Sequence, residues 1–425
     1  MSDKVKPPRT VGAIGTSLFQ INGMIGAGIF ALPAMLVAAV GSFAPAMIVI
    51  GAILILPTCF VFAWLATRFE ETGGPVLYGK TAFGSFAGFH AGWGRYASGI
   101  VAMGANTHVM VSYIAALFPP LQIPWIASVA SFAILVLSTL YIFLGMRSSV
   151  NALGLLTAFK LVPLAILVLA AVFGNYNAPA IVLPEFTKAE TVILLTFYAF
   201  IGFEGVVVPA GELNNPRRDL PRVILLALAG VTLAYVAVIW AYMAIVSEPT
   251  GNANALAGAA SIAFGEVGAI MIVLAASFSI MANNFAGMVV VPRLAYGMAE
   301  QGMLPAWFEQ IHPRFLTPAN SIMFYGFAGA LFSLSGGFAA LASASTLTRL
   351  LTYMISAGAV PTIAIREGKI NGCHLGLAIP SLASCVWIAF QASAQSWLTF
   401  GGLFIFGTIL FLCARRNSAF APDAA

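Results

Sequence analysis

Charge is what this chain lacks. Only 8% of its 425 residues are Asp, Glu, Lys or Arg, against about 25% in a soluble domain. Between Thr10 and Thr67 there is none at all. With 60% hydrophobic residues and a mean hydropathy of +0.97, an ordinary water-soluble fold is excluded. Cysteine is scarce too: Cys59, Cys373, Cys385 and Cys413 lie in or beside apolar runs, which suits small packing residues rather than a disulfide framework. Four scattered histidines, at 90, 108, 312 and 374, give no zinc spacing and no Ser/His/Asp grouping. The chain is not read as an enzyme, and neither a cofactor nor a metal is expected.

Long apolar runs take the place of charge. A membrane-spanning helix needs roughly 20 apolar residues, and that ruler predicts twelve spans, near 11–39, 42–67, 83–117, 122–145, 149–173, 189–211, 223–247, 264–291, 319–336, 341–365, 372–391 and 395–414. The first follows Lys4, Lys6 and Arg9. It is too long for a signal peptide and has no clean cleavage site, so it reads as a retained helix. Turn-rich stretches such as FPPLQIP (118–124) and SEPTGNAN (247–254) separate neighbours.

An even count puts both termini on one side. Fifteen Lys/Arg residues, from Lys4 to Arg416 and including Arg68, Lys80, Arg147, Arg217, Arg293 and Arg366, fall on that side. Lys188 alone falls on the other. Basic residues accumulate on the cytoplasmic face, so both ends are predicted to be cytoplasmic. The formal charge of +5 then reflects topology, not nucleic-acid binding. Arg95, Lys160 and Arg349 remain inside spans.

Two motifs imitate soluble enzymes. GPVLYGKT (74–81) fits a phosphate-binding loop, and GAGIFA (26–31) fits a dinucleotide fingerprint. The first needs a preceding strand, and the second needs an acidic residue about 20 positions later. Neither context is present: GPVLYGKT follows a membrane span, and the first acid after GAGIFA is Glu70.

More telling is GMIGAGIFALP (23–33) in the middle of span 1. Gly costs about 1 kcal/mol and Pro about 3 kcal/mol in a helix interior. TFYAFIGFEG (196–205) repeats the theme in span 6, an Ile-Gly pair followed by a second flexible point. If spans 1–5 and 6–10 are repeats, an odd number per repeat inverts one relative to the other, and interrupted helices then meet at the bilayer midplane. Peptide groups freed at that depth cannot stay unpaired unless they line a cavity or hold a ligand. N–H groups starting the half-helix after a break suit a carboxylate, and carbonyls ending the half-helix before it suit an ammonium. A zwitterion fits both. The competing account, close helix packing through small residues, explains one break but not two at equivalent places.

These residues resemble the amino acid–polyamine–organocation (APC) superfamily of amino-acid permeases. The resemblance covers roughly residues 10–370. It rests on IGAGIFALP, GGPVLYGKTAFGSFAGFHAGW, FYAFIGFEGVVVPAGELNNPRRDLPR and VPRLAYGMAEQGMLPAWFEQIHPRFLTP. It implies an all-α integral membrane fold of the leucine-transporter type, twelve transmembrane helices with a 5+5 inverted repeat and helices 1 and 6 unwound at mid-membrane. The divisions would be a cytoplasmic tail (1–10), a first repeat (11–173), a second repeat (189–365), peripheral helices (372–414) and a C-terminal tail (415–425).

The resemblance also implies a substrate site on Met24, Ile25, Gly26, Ala27 and Gly28 with Tyr198, Ala199, Phe200, Ile201 and Gly202. Amides of Ala27 and Gly28 would hold the substrate carboxylate, and carbonyls of Met24, Tyr198 and Ile201 the ammonium. Tyr198 would gate the pocket and Phe200 help enclose it. Lys160 stands about eleven residues, or ~16 Å, into span 5. A charge at that depth is a functional candidate by default, and in relatives a lysine there replaces a bound sodium ion between helices 1 and 8. Glu204 aligns with a carboxylate implicated in proton-linked behaviour, leaving coupling and structural hydrogen bonding both open. Arg95 and Arg349 match positions suited to a structural ion pair or gate.

The expected function is secondary active amino-acid transport by alternating access, sodium-independent, as proton-coupled symport or exchange, with no ATPase domain to supply energy. The partners would be a small amino acid, protons and the lipid bilayer, with the oligomeric state open. The presumed pocket has no acidic side chain from helices 3, 8 or 10, so neutral amino acids are favoured over arginine or polyamines. The alternatives are an exchanger or exporter of polyamines or cationic amino acids on the same fold, and a non-transporting amino-acid sensor.

Overall fold

The computed structural model describes residues 12–144, 150–176, 179–247, 254–315 and 317–419. The N-terminal tail with Lys4, Lys6 and Arg9, the link carrying Arg147, most of SEPTGNAN and the last six residues lie outside the described residues. Among those described there are no strands.

The chain opens with α1 (Ala13–Met24) and α2 (Gly28–Val40), which occupy span 1 with a gap between them. After Gly41, at φ +59°, follow α3 (Ala44–Ala66), the short α4 (Pro75–Phe83) and α5 (Ser85–Ala115). Next come α6 (Pro124–Phe143) and α7 (Val150–Phe173). The second half begins with α8 (Phe186–Tyr198) and a 3-10 turn over Phe203–Val207, then α9 (Pro216–Ile245) and α10 (Ala255–Glu300). It ends with α11 (Ala319–Phe332) and α12 (Phe338–Arg366), and α13 (Gly372–Phe390) and α14 (Ala394–Ala419) close the chain.

Local chemistry sets many of these ends. Pro75, Pro124 and Pro216 each stand in the first helical turn, where the missing N–H costs nothing. Asn371 caps α13 in a reciprocal box with His374. Two expected spans need correction. Span 7 starts at Pro216, not 223, because its first turns, PRRDLPR, are helical yet too polar for a hydropathy ruler. Span 8 extends from 264–291 to Ala255–Glu300, with Gly265 at φ +69° and ψ −158° dividing it. At 1.5 Å per residue its 46 residues would run about 69 Å, more than twice a hydrocarbon core of about 30 Å.

Seven described stretches are long and apolar enough to cross a membrane, and three further apolar helices are shorter. α5 is not among the seven, since it carries Arg95, His90 and His108 and several glycines through its length. Leucines and valines such as Leu137, Leu226, Val267 and Leu398 stand largely exposed on the exterior. That is the inverse of a water-soluble surface and the normal state of one facing lipid.

The packing brings α3 onto α9, α5 onto both α10 and α12, and α6 onto α11. One correspondence between the halves is local. α4 joins α5 through Gly84 at φ +90° and ψ −177°, and the first turns of α10 join its long remainder through Gly265 in nearly the same conformation. At one end of the bundle the links after α3, before α9, after α10 and after α12 meet. Arg217 Nε lies 2.6 Å from Glu70 Oε1, Arg68 Nε 3.9 Å from Glu367 Oε2, and Lys80 Nζ donates to Gln301 Oε1 at 2.8 Å.

Candidate functional site

The first break runs from Met24 to Gly28. The amide of Ile25 still donates to Ile21 O at 2.9 Å, but Ile25 itself is extended (φ −86°, ψ 93°), which ends α1. The carbonyl of Ala27 is the first to accept in α2, from Phe30 and Ala31. The amides of Ala27, Gly28 and Ile29 therefore start a helix with no carbonyl one turn before them. Side chains from elsewhere take the freed carbonyls. Lys160 Nζ, fully buried on α7, donates to Ile25 O at 2.9 Å. Asn283 Nδ2, on α10, donates to Asn22 O at 2.8 Å and to Gly23 O at 3.3 Å. Asn22 Nδ2 in turn donates to Thr157 Oγ1 at 2.6 Å, a second tie to α7.

The second break is tighter. Amides of Ala199, Phe200 and Ile201 donate to the carbonyls of Thr196, Phe197 and Tyr198 at 3.1–3.2 Å, so α8 closes in 3-10 fashion. The Tyr198 carbonyl, expected to receive an ammonium, already accepts the Ile201 amide. Gly202 then turns at φ +110°, and its amide donates to Glu204 Oε2 at 3.2 Å. A Cβ on Gly202 would collide with the Gly23 carbonyl. The two breaks thus touch, backbone to backbone, and only glycine fits the contact.

Between them lies a cavity of about 100 Å3. Of the residues expected at the site, Met24, Gly26, Ala27, Gly28, Tyr198, Ile201 and Gly202 line it. Ile25, Ala199 and Phe200 do not: Ile25 spends its carbonyl on Lys160, and the Phe200 ring packs against Gly51 and Tyr235. Lys160 and Glu204 stand behind the wall rather than in it.

Sequence reasoning missed several wall residues. Tyr235 of α9 is fully buried, and its hydroxyl has no hydrogen-bond partner among the described residues. That hydroxyl stands 2.5 Å from where a Cβ on Gly28 would sit, so it is aimed at the start of α2. Asn106, Asn283 and Asn284 form an amide cluster. Tyr198 Oη donates to Asn106 Oδ1 at 2.7 Å, and Asn106 Nδ2 donates to Asn283 Oδ1 at 3.2 Å and Asn284 Oδ1 at 3.3 Å. One chain of hydrogen bonds therefore runs from Tyr198 at the second break to the Gly23 carbonyl at the first. The sequence did offer a signal: two adjacent amides inside an apolar span must find partners.

Glu204 has 0% exposure and is fully committed. Its Oε1 accepts from Arg349 Nη1 and lies 2.9 Å from Arg95 Nε, while Oε2 accepts from Tyr353 Oη at 2.8 Å and from the Gly202 amide. The ion pair expected of Arg95 and Arg349 is in fact a triad, two guanidiniums on one carboxylate. It joins α5 and α12 to the second break. Close packing of α5 on α12 supports it, with Thr352 Oγ1 donating to Ala91 O at 2.8 Å and Ser345 Oγ to Ser98 O at 2.8 Å.

A bundle of apolar helices with a polar cavity between interrupted segments is the architecture of a membrane transporter for small solutes. The chain belongs to the amino acid permease family, which it matches over residues 11–413. It is 28% identical to the serine/threonine exchanger SteT of Bacillus subtilis over 74% of each chain. It is 26% identical to the cadaverine/lysine antiporter of Escherichia coli, over 96% of this chain and 95% of that one. The methylthioribose transporter of Bacillus subtilis is 24% identical, over 96% and 94%.

Proposed function

We propose that the chain is a secondary active amino-acid transporter that grips the α-carboxylate and α-ammonium of its substrate between the two breaks and works by alternating access. One observation carries the reading. Among the described residues the amides of Ala27 and Gly28 and the Tyr235 hydroxyl have no partner and converge on one cavity, three donors awaiting an anionic acceptor. The carbonyls of Met24 and Ile201, on the same wall, supply the acceptors for an ammonium. The serine, threonine and lysine in the names of two relatives, a serine/threonine exchanger and a cadaverine/lysine antiporter, agree with amino-acid chemistry.

The same reading takes the fold as twelve spans in a 5+5 inverted repeat. The pairings of α3 with α9, α5 with α10 and α6 with α11 support it, as does the glycine hinge repeated at Gly84 and Gly265. Both termini are cytoplasmic in this reading, because the basic links that meet at one end belong on that face. Coupling is sodium-independent: the Lys160 ammonium already occupies the carbonyl that a cation would need. Protons or a second amino acid then drive flux. Substrates with a cationic side chain are disfavoured, since no Asp or Glu lines the cavity.

The test is uptake of labelled amino acids into liposomes containing only the purified protein. Uptake should persist when choline replaces sodium, and amines lacking the carboxylate should not compete. Competition by such amines would replace this reading with an amine exchanger, and binding without movement would replace it with a sensor.

A further inference from the structure

Arg95 and Arg349 both line the cavity, yet between them they share a single carboxylate. Among the described residues Glu204 is the only hydrogen-bonding or ion-pairing partner of either guanidinium, and its own oxygens already take three hydrogen bonds and the Arg95 ion pair. Arg349 Nε is buried with no partner, and the Arg349 side chain is only 3% exposed. Two positive charges against one negative leave a surplus at the wall. No acidic residue lines the cavity to absorb it. A buried charge without a counter-charge is costly, and a site that keeps one is built to receive the opposite sign.

Position agrees with that sign. Arg95 Nη2 lies 3.6 Å from where a Cβ on Gly205 would sit, so the guanidinium reaches the second break, three residues past Gly202. On the same wall the Tyr325 hydroxyl comes in over Gly99 and Gly287, 2.5 Å and 3.6 Å from where their Cβ atoms would sit. The cavity thus has two anion-seeking ends, the α2 amides with Tyr235 and the Arg95–Arg349 pair, with the carbonyls of Met24 and Ile201 on the same wall.

We infer that the Arg95–Arg349 pair is a subsite for a second carboxylate, so that the preferred cargo is an acidic amino acid, its side-chain carboxylate on the arginines and its α-carboxylate at α2. This rests on the reading of the breaks as the amino-acid site and narrows it. The surplus guanidinium charge then meets its counter-ion only when cargo is bound, and a cationic side chain would be repelled.

The experiment compares affinities of the purified full-length protein for L-glutamate and L-aspartate with those for L-glutamine and L-asparagine, which match them in size but lack the charge. It is run in gluconate and in chloride buffers. The expected result is at least tenfold tighter binding of the acids, reduced to less than twofold in Arg95→Gln and largely retained in Arg95→Lys. Arg95→Gln leaves Arg349 to pair with Glu204, and a monodisperse size-exclusion peak of that variant in detergent verifies its fold. Equal affinity of the wild type for acids and amides overturns the subsite while leaving the amino-acid reading intact. So does a preference that survives Arg95→Gln. A response to chloride alone, with no gain from the side-chain carboxylate, means that the arginines hold only an inorganic anion. If no amino acid binds, both readings fall.

Discussion

Lys160 Nζ donates to the carbonyl of Ile25 at 2.9 Å, across 135 residues of sequence. One buried ammonium on α7 thereby holds open the end of α1 from which the first break begins. Lys160→Ala would leave that carbonyl buried without a donor, a loss of about 1–3 kcal/mol. The expected outcome is a lower Tm and at least a tenfold fall in uptake. Flux and pH profile identical to wild type would show that the lysine has no part in the transport cycle.

Tyr235→Phe separates substrate contact from structure. The hydroxyl makes no hydrogen bond among the described residues, so its removal should leave Tm within a degree or two. If it donates to a substrate carboxylate, binding should weaken by roughly 1.5–3 kcal/mol, the usual worth of a hydrogen bond to a charged group. A thermal melt reads the first value and calorimetric titration the second, and an undiminished affinity would remove Tyr235 from the site.

Gly202→Ala should fail to fold. Its φ of +110° is one that L side chains rarely adopt, and the added methyl would meet the Gly23 backbone rather than a side chain able to move. Gly401→Ala is the control, because a Cβ there meets nothing within 4 Å, and Ala in a helix gains about 1 kcal/mol over Gly. Size-exclusion profiles of the two variants in detergent should diverge sharply; two matching monodisperse peaks would contradict the contact between the breaks.

Glu204→Gln would strip the counter-charge from Arg95 and Arg349 together. Breaking a buried pair by removing one partner costs about 3–5 kcal/mol, so thermal stability should drop by many degrees. A variant as stable as wild type would mean that the triad contributes little to holding α5, α12 and the second break together.

How much of the site the sequence disclosed follows from how its signals are made. GMIGAG and IGFEG are local: glycine and proline weaken a helix wherever they stand, so the breaks were legible without tertiary information. Lys160 was legible because any charge so deep in an apolar run demands an explanation. Asn283, Asn284 and Tyr235 were not, since a neutral polar side chain in a span gives no sign of which face it occupies. Phe200 shows the converse. Its place beside the second break suggested a pocket wall, but helix rotation turns its ring toward Gly51 and Tyr235.

By itself the sequence determined the solvent of this protein, its family and the two places where a helix must stop, because these depend on composition and on short-range backbone energetics. Only the tertiary structure decided what the deep charges do. Glu204 meets Arg349 and Tyr353 across 145 and 149 residues, and which groups balance one another in a low-dielectric interior is fixed by helix packing, on which linear order is silent.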